Sequence, residues 1–328
     1  MMRSLRRAAA TAALILAVPA ALPAQDQLSP PAVTASKAFK LSGYTQFLFT
    51  EQTEGVSGLS VRRAKFSLAA ELLKDLRFKV QVDLLRSPAL LDAQVEFLLH
   101  EAASFRIGQF KVPFSLEMTT SSSDLDTINR SQPVNKLSPG LDIGSAGRDI
   151  GIVLFGRAAF LEYTVGVFNG AGINAADTND RKDLAGRVIV RPLDFLSIGA
   201  SFYDGSFAPS AGAASAVRDR VGMDLALLRG PFSLKAEFIG AEDGEVLREG
   251  WYVQAGWFFL PRMFQGVLRA DSYDADRAAS GDRKNVWTAG LNWILSGRTK
   301  LQANFELTRN EAGTTVNKAL CVQLQAGF

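Results

Sequence analysis

The sequence predicts an all-β protein: a transmembrane antiparallel β-barrel of about sixteen strands, with a long third loop folded into the pore. Three observations carry that expectation. From Phe39 to the C-terminus, apolar and polar residues alternate with period two in one segment after another, the signature of strands with one apolar face. The breaks between segments are alternately short and long, as in a barrel with tight turns on one rim and loops on the other. Beyond the first two dozen residues no apolar run approaches twenty residues, so a membrane would be crossed by strands rather than helices.

The first segment is read as a leader. Arg3, Arg6 and Arg7 precede an apolar, alanine-rich run over residues 8–18, followed by small residues and proline. A basic start, a short apolar core and a small-residue end make a secretory signal peptide over residues 1–24, too short to span a bilayer. Cleavage is expected after Ala20 or Ala24. Residues 25–38 are rich in Pro, Ser and Ala and are read as a short periplasmic lead-in to a barrel over 39–328.

Removing the leader changes the charge. The chain has 36 Lys and Arg against 33 Asp and Glu, and the leader takes three arginines and no acid. The remainder is formally neutral, which excludes nucleic-acid binding and a bulk anion-attracting field as functions of net charge. One cysteine, Cys321, leaves no intrachain disulfide and no cysteine-based metal cluster.

The strands follow in order. Phe39, Leu41, Gly43, Thr45, Phe47 and Phe49 share one face, opposite Lys40, Ser42, Tyr44, Gln46 and Thr50. Ala64, Phe66, Leu68, Ala70 and Leu72 oppose Arg63, Lys65, Ser67 and Glu71. After a tight break at Lys74 and Asp75, Leu76 to Leu84 repeats the pattern against Arg77, Lys79, Gln81 and Asp83. Further segments are expected near 91–99, 105–112, 148–156, 161–169, 183–191, 195–203, 219–229, 232–240, 250–260, 264–273, 284–295, 299–309 and 318–328. An even number returns both ends to one rim. A soluble sandwich also alternates, but around a dry core. A membrane barrel turns polar residues to water inside and apolar ones to lipid, with aromatic residues near strand ends. Phe39, Phe49, Trp251, Phe259, Trp287, Trp293 and the terminal Phe328 fit the second arrangement.

Catalytic chemistry finds no support. His100 is the only histidine and sits at an expected turn, so a Ser/His/Asp triad has no second candidate to support it and no His-pair metal site can be assembled. The glycines of GAGIN (170–174) precede no helical pattern and read as loop. Cys321 alternates onto the polar face of the last strand, as a small lumen residue. No enzyme, cofactor or metal is expected.

The loop between residues 115 and 147 is the exception to short connections, and loops of this length are usually functional. It carries Glu117, Asp124, Asp126, Arg130, Lys136 and Asp142, with Arg148 and Asp149 at its exit. Acids and bases together at a constriction create a transverse field that sets ion preference. Basic residues also cluster on early strands, where Arg63, Lys65, Arg77 and Lys79 form a stripe able to draw anions along the wall.

Four runs carry a family resemblance: RIGQFKVPFSLE (106–117), GRDIG (147–151), YTVGVFNGAG (163–172) and NDRKDLAGRV (179–188). Together they resemble the phosphate-selective porin O and P family over nearly the whole mature chain. The resemblance implies a sixteen-stranded, commonly trimeric barrel in the bacterial outer membrane, passing small anions such as phosphate through a pore narrowed by its third loop. In this chain the loop has few bases opposed by several acids, which departs from the dense basic series of phosphate specialists. By position, Lys111, Arg130, Lys136 and Arg148 join Arg63, Lys65, Arg77 and Lys79 as candidate pore-lining residues. A non-selective diffusion porin and a structural or adhesive barrel are the alternatives.

Overall fold

Alternation becomes geometry because every backbone N–H and C=O in a bilayer must be bonded within the protein, which only a closed sheet achieves for strands. The computed structural model describes residues 39–208, 213–260 and 263–328, so the expected leader and lead-in lie outside the described residues. The strands are β1 (Phe39–Gln52), β2 (Gly58–Leu73), β3 (Leu76–Asp83), β4 (Leu90–His100), β5 (Ala103–Lys111), β6 (Arg148–Ala158), β7 (Leu161–Phe168), β8 (Asp183–Leu193), β9 (Leu196–Asp204), β10 (Ser206–Phe207), β11 (Ala216–Arg229), β12 (Phe232–Asp243), β13 (Val246–Leu260), β14 (Phe264–Asp274), β15 (Lys284–Ser296), β16 (Thr299–Asn310) and β17 (Thr315–Gly327). β10 is a two-residue piece paired only with the start of β11. The other sixteen pair with their neighbours antiparallel, β9 with β11, and β1 closes the ring on β17 from Tyr44–Gly327 to Gln52–Ala319.

The two faces are sorted as a membrane barrel requires. Gln46, Asn304, Gln323 and Gln325 are almost wholly buried, whereas Phe66, Trp251, Leu268, Trp287 and Leu320 are exposed. A water-soluble sheet protein would reverse this. Phe232, Trp257, Phe259, Phe264 and Trp293 form a ladder of neighbouring rings on the exposed face of β12 to β15, centroids 5.8–6.3 Å apart.

Strand boundaries differ from expectation mainly on the loop rim. β12 runs on to Asp243 and β13 starts at Val246, so a break expected over 241–249 shrinks to Gly244 and Glu245. The polar residues there hid the pairing: Ala241–Arg248, Glu242–Leu247 and Asp243–Val246 extend the ladder above the apolar band.

A bulge in β2 matters more. Gln46 pairs with Arg63 but Phe47 pairs with Val61, so Arg62 is the extra residue. The bulge turns both Arg62 and Arg63 to the buried face.

The long connection over residues 112–147 holds two short helices, α1 (Leu116–Thr119) and α2 (Gln132–Leu137). It packs against buried side chains of β1, β2, β9 and β11 to β17. Examples are Arg62 Nη1 to Ile128 O at 3.0 Å, Asn304 Oδ1 accepting from Ile128 N at 2.6 Å, and Lys300 Nζ to Leu125 O at 2.7 Å. Phe110, Phe114, Met118, Val134 and Leu137 form its apolar core with Ile239 and Tyr252.

Candidate pore lining

The loop takes one side of the barrel and leaves the other open. Facing β2 to β8 is a cavity of about 680 Å³. Its wall carries Arg62, Arg63 and Lys65 from β2, Lys79 from β3, Arg106 and Lys111 from β5, Arg148 from β6 and Arg187 from β8. Arg86 and Arg130 reach it from loops. Against these ten cations stand only Asp83, Asp92 and Glu96 among the described residues. Residues 39–328, whose formal charges sum to zero, have therefore built a strongly basic cavity.

The loop's acids went to the opposite wall. Asp126 binds Lys235 Nζ at 2.6 Å and accepts from Gln254 at 2.9 Å. Asp142 holds Arg218 at 2.6 Å and Arg220 at 2.9 Å. Glu117 lies 3.5 Å from Arg269 and accepts from the backbone and hydroxyl of Ser131, both at 2.9 Å. The loop carboxylates thus neutralise wall cations on β11, β12 and β14, and none of them lines the cavity.

Within the cavity the cations differ in how they are held. Asp92 bridges Lys79 at 2.7 Å and Arg148 at 2.5 Å, Glu96 holds Arg106 at 2.7 Å, and Asp224 holds Arg187 at 2.7 Å. Arg62, Arg63, Lys65 and Arg86 have no carboxylate within ion-pair distance among the described residues. Arg63 donates to Gln46 Oε1 at 2.7 Å, and the Lys65 ammonium lies 5.9 Å from the Tyr44 ring centre. The Arg86 Nε is buried with no partner. Burial pulls the Arg130 guanidinium below its ordinary value, with Glu117 opposing.

Six of the eight residues expected from sequence, Arg63, Lys65, Lys79, Lys111, Arg130 and Arg148, come together here. Arg77 pairs with Glu71 at 2.9 Å, half-exposed near the turn rim, and Lys136 is exposed on α2; neither lines the cavity. Sequence reasoning missed Arg62, Arg86, Arg106, Arg218 and Arg220. For Arg62 a signal existed: exposed apolar residues fall on odd numbers at Leu59 and Val61, then on even numbers at Phe66 and Leu68.

Two further residues find their places. Cys321 is buried on the inner face beside Ile128 and Ala319, 3.9 Å from Thr50 Oγ1. The glycines of GAGIN do form an anion-binding nest, but its occupant is internal: Asp149 accepts from Gly170 N at 2.6 Å and Gly172 N at 3.2 Å.

A model of the family described as "Phosphate-selective porin O and P" matches residues 41–215 and 204–325. The chain belongs to the phosphate-selective porin O and P family. This porin is thus an outer-membrane channel and not an enzyme. No curated protein matches it by sequence. Among solved structures it is similar to an anion-selective porin from Comamonas acidovorans, at 16% identity and a TM-score of 0.71, covering 89% of this chain and 100% of that one. It is also similar to Salmonella typhi OmpF in complex with daunomycin (9% identity, TM-score 0.66, 88% and 97% covered). In vitro folded OmpT of Vibrio cholerae, in its trimer form, matches at 9% identity and a TM-score of 0.63, with 89% and 99% covered. At these identities the likeness is one of fold.

Proposed function

We propose that this porin passes small anions, phosphate among them, along the basic wall of β2 to β8, and that the loop of residues 112–147 narrows the water path. One observation carries the reading: ten cations and three acids line the cavity, while the loop carboxylates are spent on the opposite wall. Fixed cations in a water-filled path raise the local anion concentration, and low-dielectric walls focus the effect. Family membership and the fold shared with a porin described as anion-selective support it.

The test is the reversal potential of the purified, refolded protein in a planar bilayer across a KCl gradient. A mean potential of about one kT favours chloride over potassium by about sevenfold, since it enriches one ion e-fold and depletes the other e-fold. A ratio near one sinks the reading. Added phosphate should also reduce the chloride current.

A second reading, a general diffusion pore with mild anion preference, has an observation of its own. Lys79, Arg106 and Arg148 are already occupied by Asp92 and Glu96, which weakens capture of a multivalent anion. Chloride preference without phosphate block would select it. We also propose a homotrimer, supported by the trimer form of the structurally similar OmpT; unheated electrophoresis and sedimentation in detergent test it.

A further inference from the structure

A helix leaves its last four carbonyls without intrahelical partners. For α1 these are the carbonyls of Glu117, Met118, Thr119 and Thr120, and all four are met by two side chains. The Lys111 ammonium donates to Met118 O at 2.8 Å, Thr119 O at 3.0 Å and Thr120 O at 2.9 Å. The Arg130 guanidinium donates to Glu117 O, and to Thr120 O at 2.8 Å. An ammonium has three donors, so Lys111 has none left for a solute.

We propose that Lys111 and Arg130 are positioning residues, which clasp the carbonyl end of α1 and so hold the loop at its working width instead of binding the permeating anion. The clasp spans the loop from its entry strand at Lys111 to the residue before α2's cap, across the turn at 117–120. Without it, four carbonyl dipoles would lose their side-chain partners and α1 would lose its tether to the Lys111 side chain of β5. This inference rests on the reading that the loop narrows the path.

The discriminating variant is Lys111→Arg, which keeps the charge but cannot aim three donors from one nitrogen at three converging carbonyls. Two readouts are taken on the full-length refolded barrel: hydrogen exchange of peptides covering residues 115–131 by mass spectrometry, and single-channel conductance with its open-channel noise. The expected result is at least tenfold faster exchange in that segment, with higher noise and altered conductance, while the anion-to-cation ratio stays within twofold of the parent. Unchanged exchange and conductance overturn the proposal, as does a change confined to phosphate block, which would mark Lys111 as a solute contact. Faster exchange with unchanged conductance supports the clasp and overturns the loop as the constriction. A parent channel without anion preference overturns the selectivity reading and leaves the clasp standing. If Lys111→Arg fails to fold, Arg130→Lys removes the other arm of the clasp with charge retained and is read the same way.

Discussion

Arg63 and Lys65 show at the residue scale what the cavity adds to a charge. Both project from β2 into the cavity, and neither has a carboxylate partner among the described residues. Neutralising both, as Arg63→Gln with Lys65→Gln, should lower the anion-to-cation permeability ratio at least threefold, read from reversal potentials at low salt. Gly108 sets a different kind of limit. It lies at φ +124°, and a Cβ there would fall 2.1 Å from the Ala93 carbonyl oxygen on β4. Gly108→Ala combines a forbidden backbone region with a clash, and should cost more than about 2 kcal/mol. Urea unfolding in detergent micelles measures it. Gly108 was visible in the sequence only as a glycine within RIGQF; nothing local told that β4 approaches so closely.

The docked loop is the element on which the site depends. Its carboxylates bind the far wall, so loosening one of them should expose what the loop covers. Ile128 covers Cys321, which is 3% exposed and the only cysteine in the chain. Asp126→Ala removes the contacts to Lys235, Gln254 and Gln265 two residues away. It should raise the rate of Cys321 alkylation by a small water-soluble maleimide about tenfold, which corresponds to ~1.4 kcal/mol of lost docking. An unchanged rate would mean that the other contacts hold this part of the loop unaided. The loop's length and mixed charge were legible in sequence. Its choice of wall was not, because Arg218 and Arg220, Lys235 and Arg269 lie 76 to 152 residues beyond their partners Asp142, Asp126 and Glu117, and such pairings depend on how the barrel closes.

For the whole molecule, net charge is a poor guide to the field in the pore. Residues 39–328, with formal charges that sum to zero, would exert little pull at a distance, yet docking the loop's acids on one wall leaves a basic path along the other. Such a field acts over about one Debye length, ~10 Å at 0.1 M salt and ~3 Å at 1 M. The anion preference should therefore fall steeply between 0.1 M and 1 M KCl. A ratio that held constant would point to a tight binding site instead of a diffuse basic wall. Bilayer recordings at matched gradients and several mean concentrations decide between them.

The sequence by itself determined the barrel. Period-two alternation assigns each side chain to water or lipid, and alternating break lengths order the hairpins, so sixteen strands and the long third connection could be read locally. Six of the eight candidate cations also follow from parity and position. Only the tertiary structure decided the rest: the bulge that turns Arg62 inward, the wall on which the loop docks, the pairing of Asp92 with Lys79 and Arg148, and the capture of Lys111 by three carbonyls. The physical reason is range. Alternation is written in neighbours, whereas the cavity's charge depends on which distant acid reaches which base after the ring has closed.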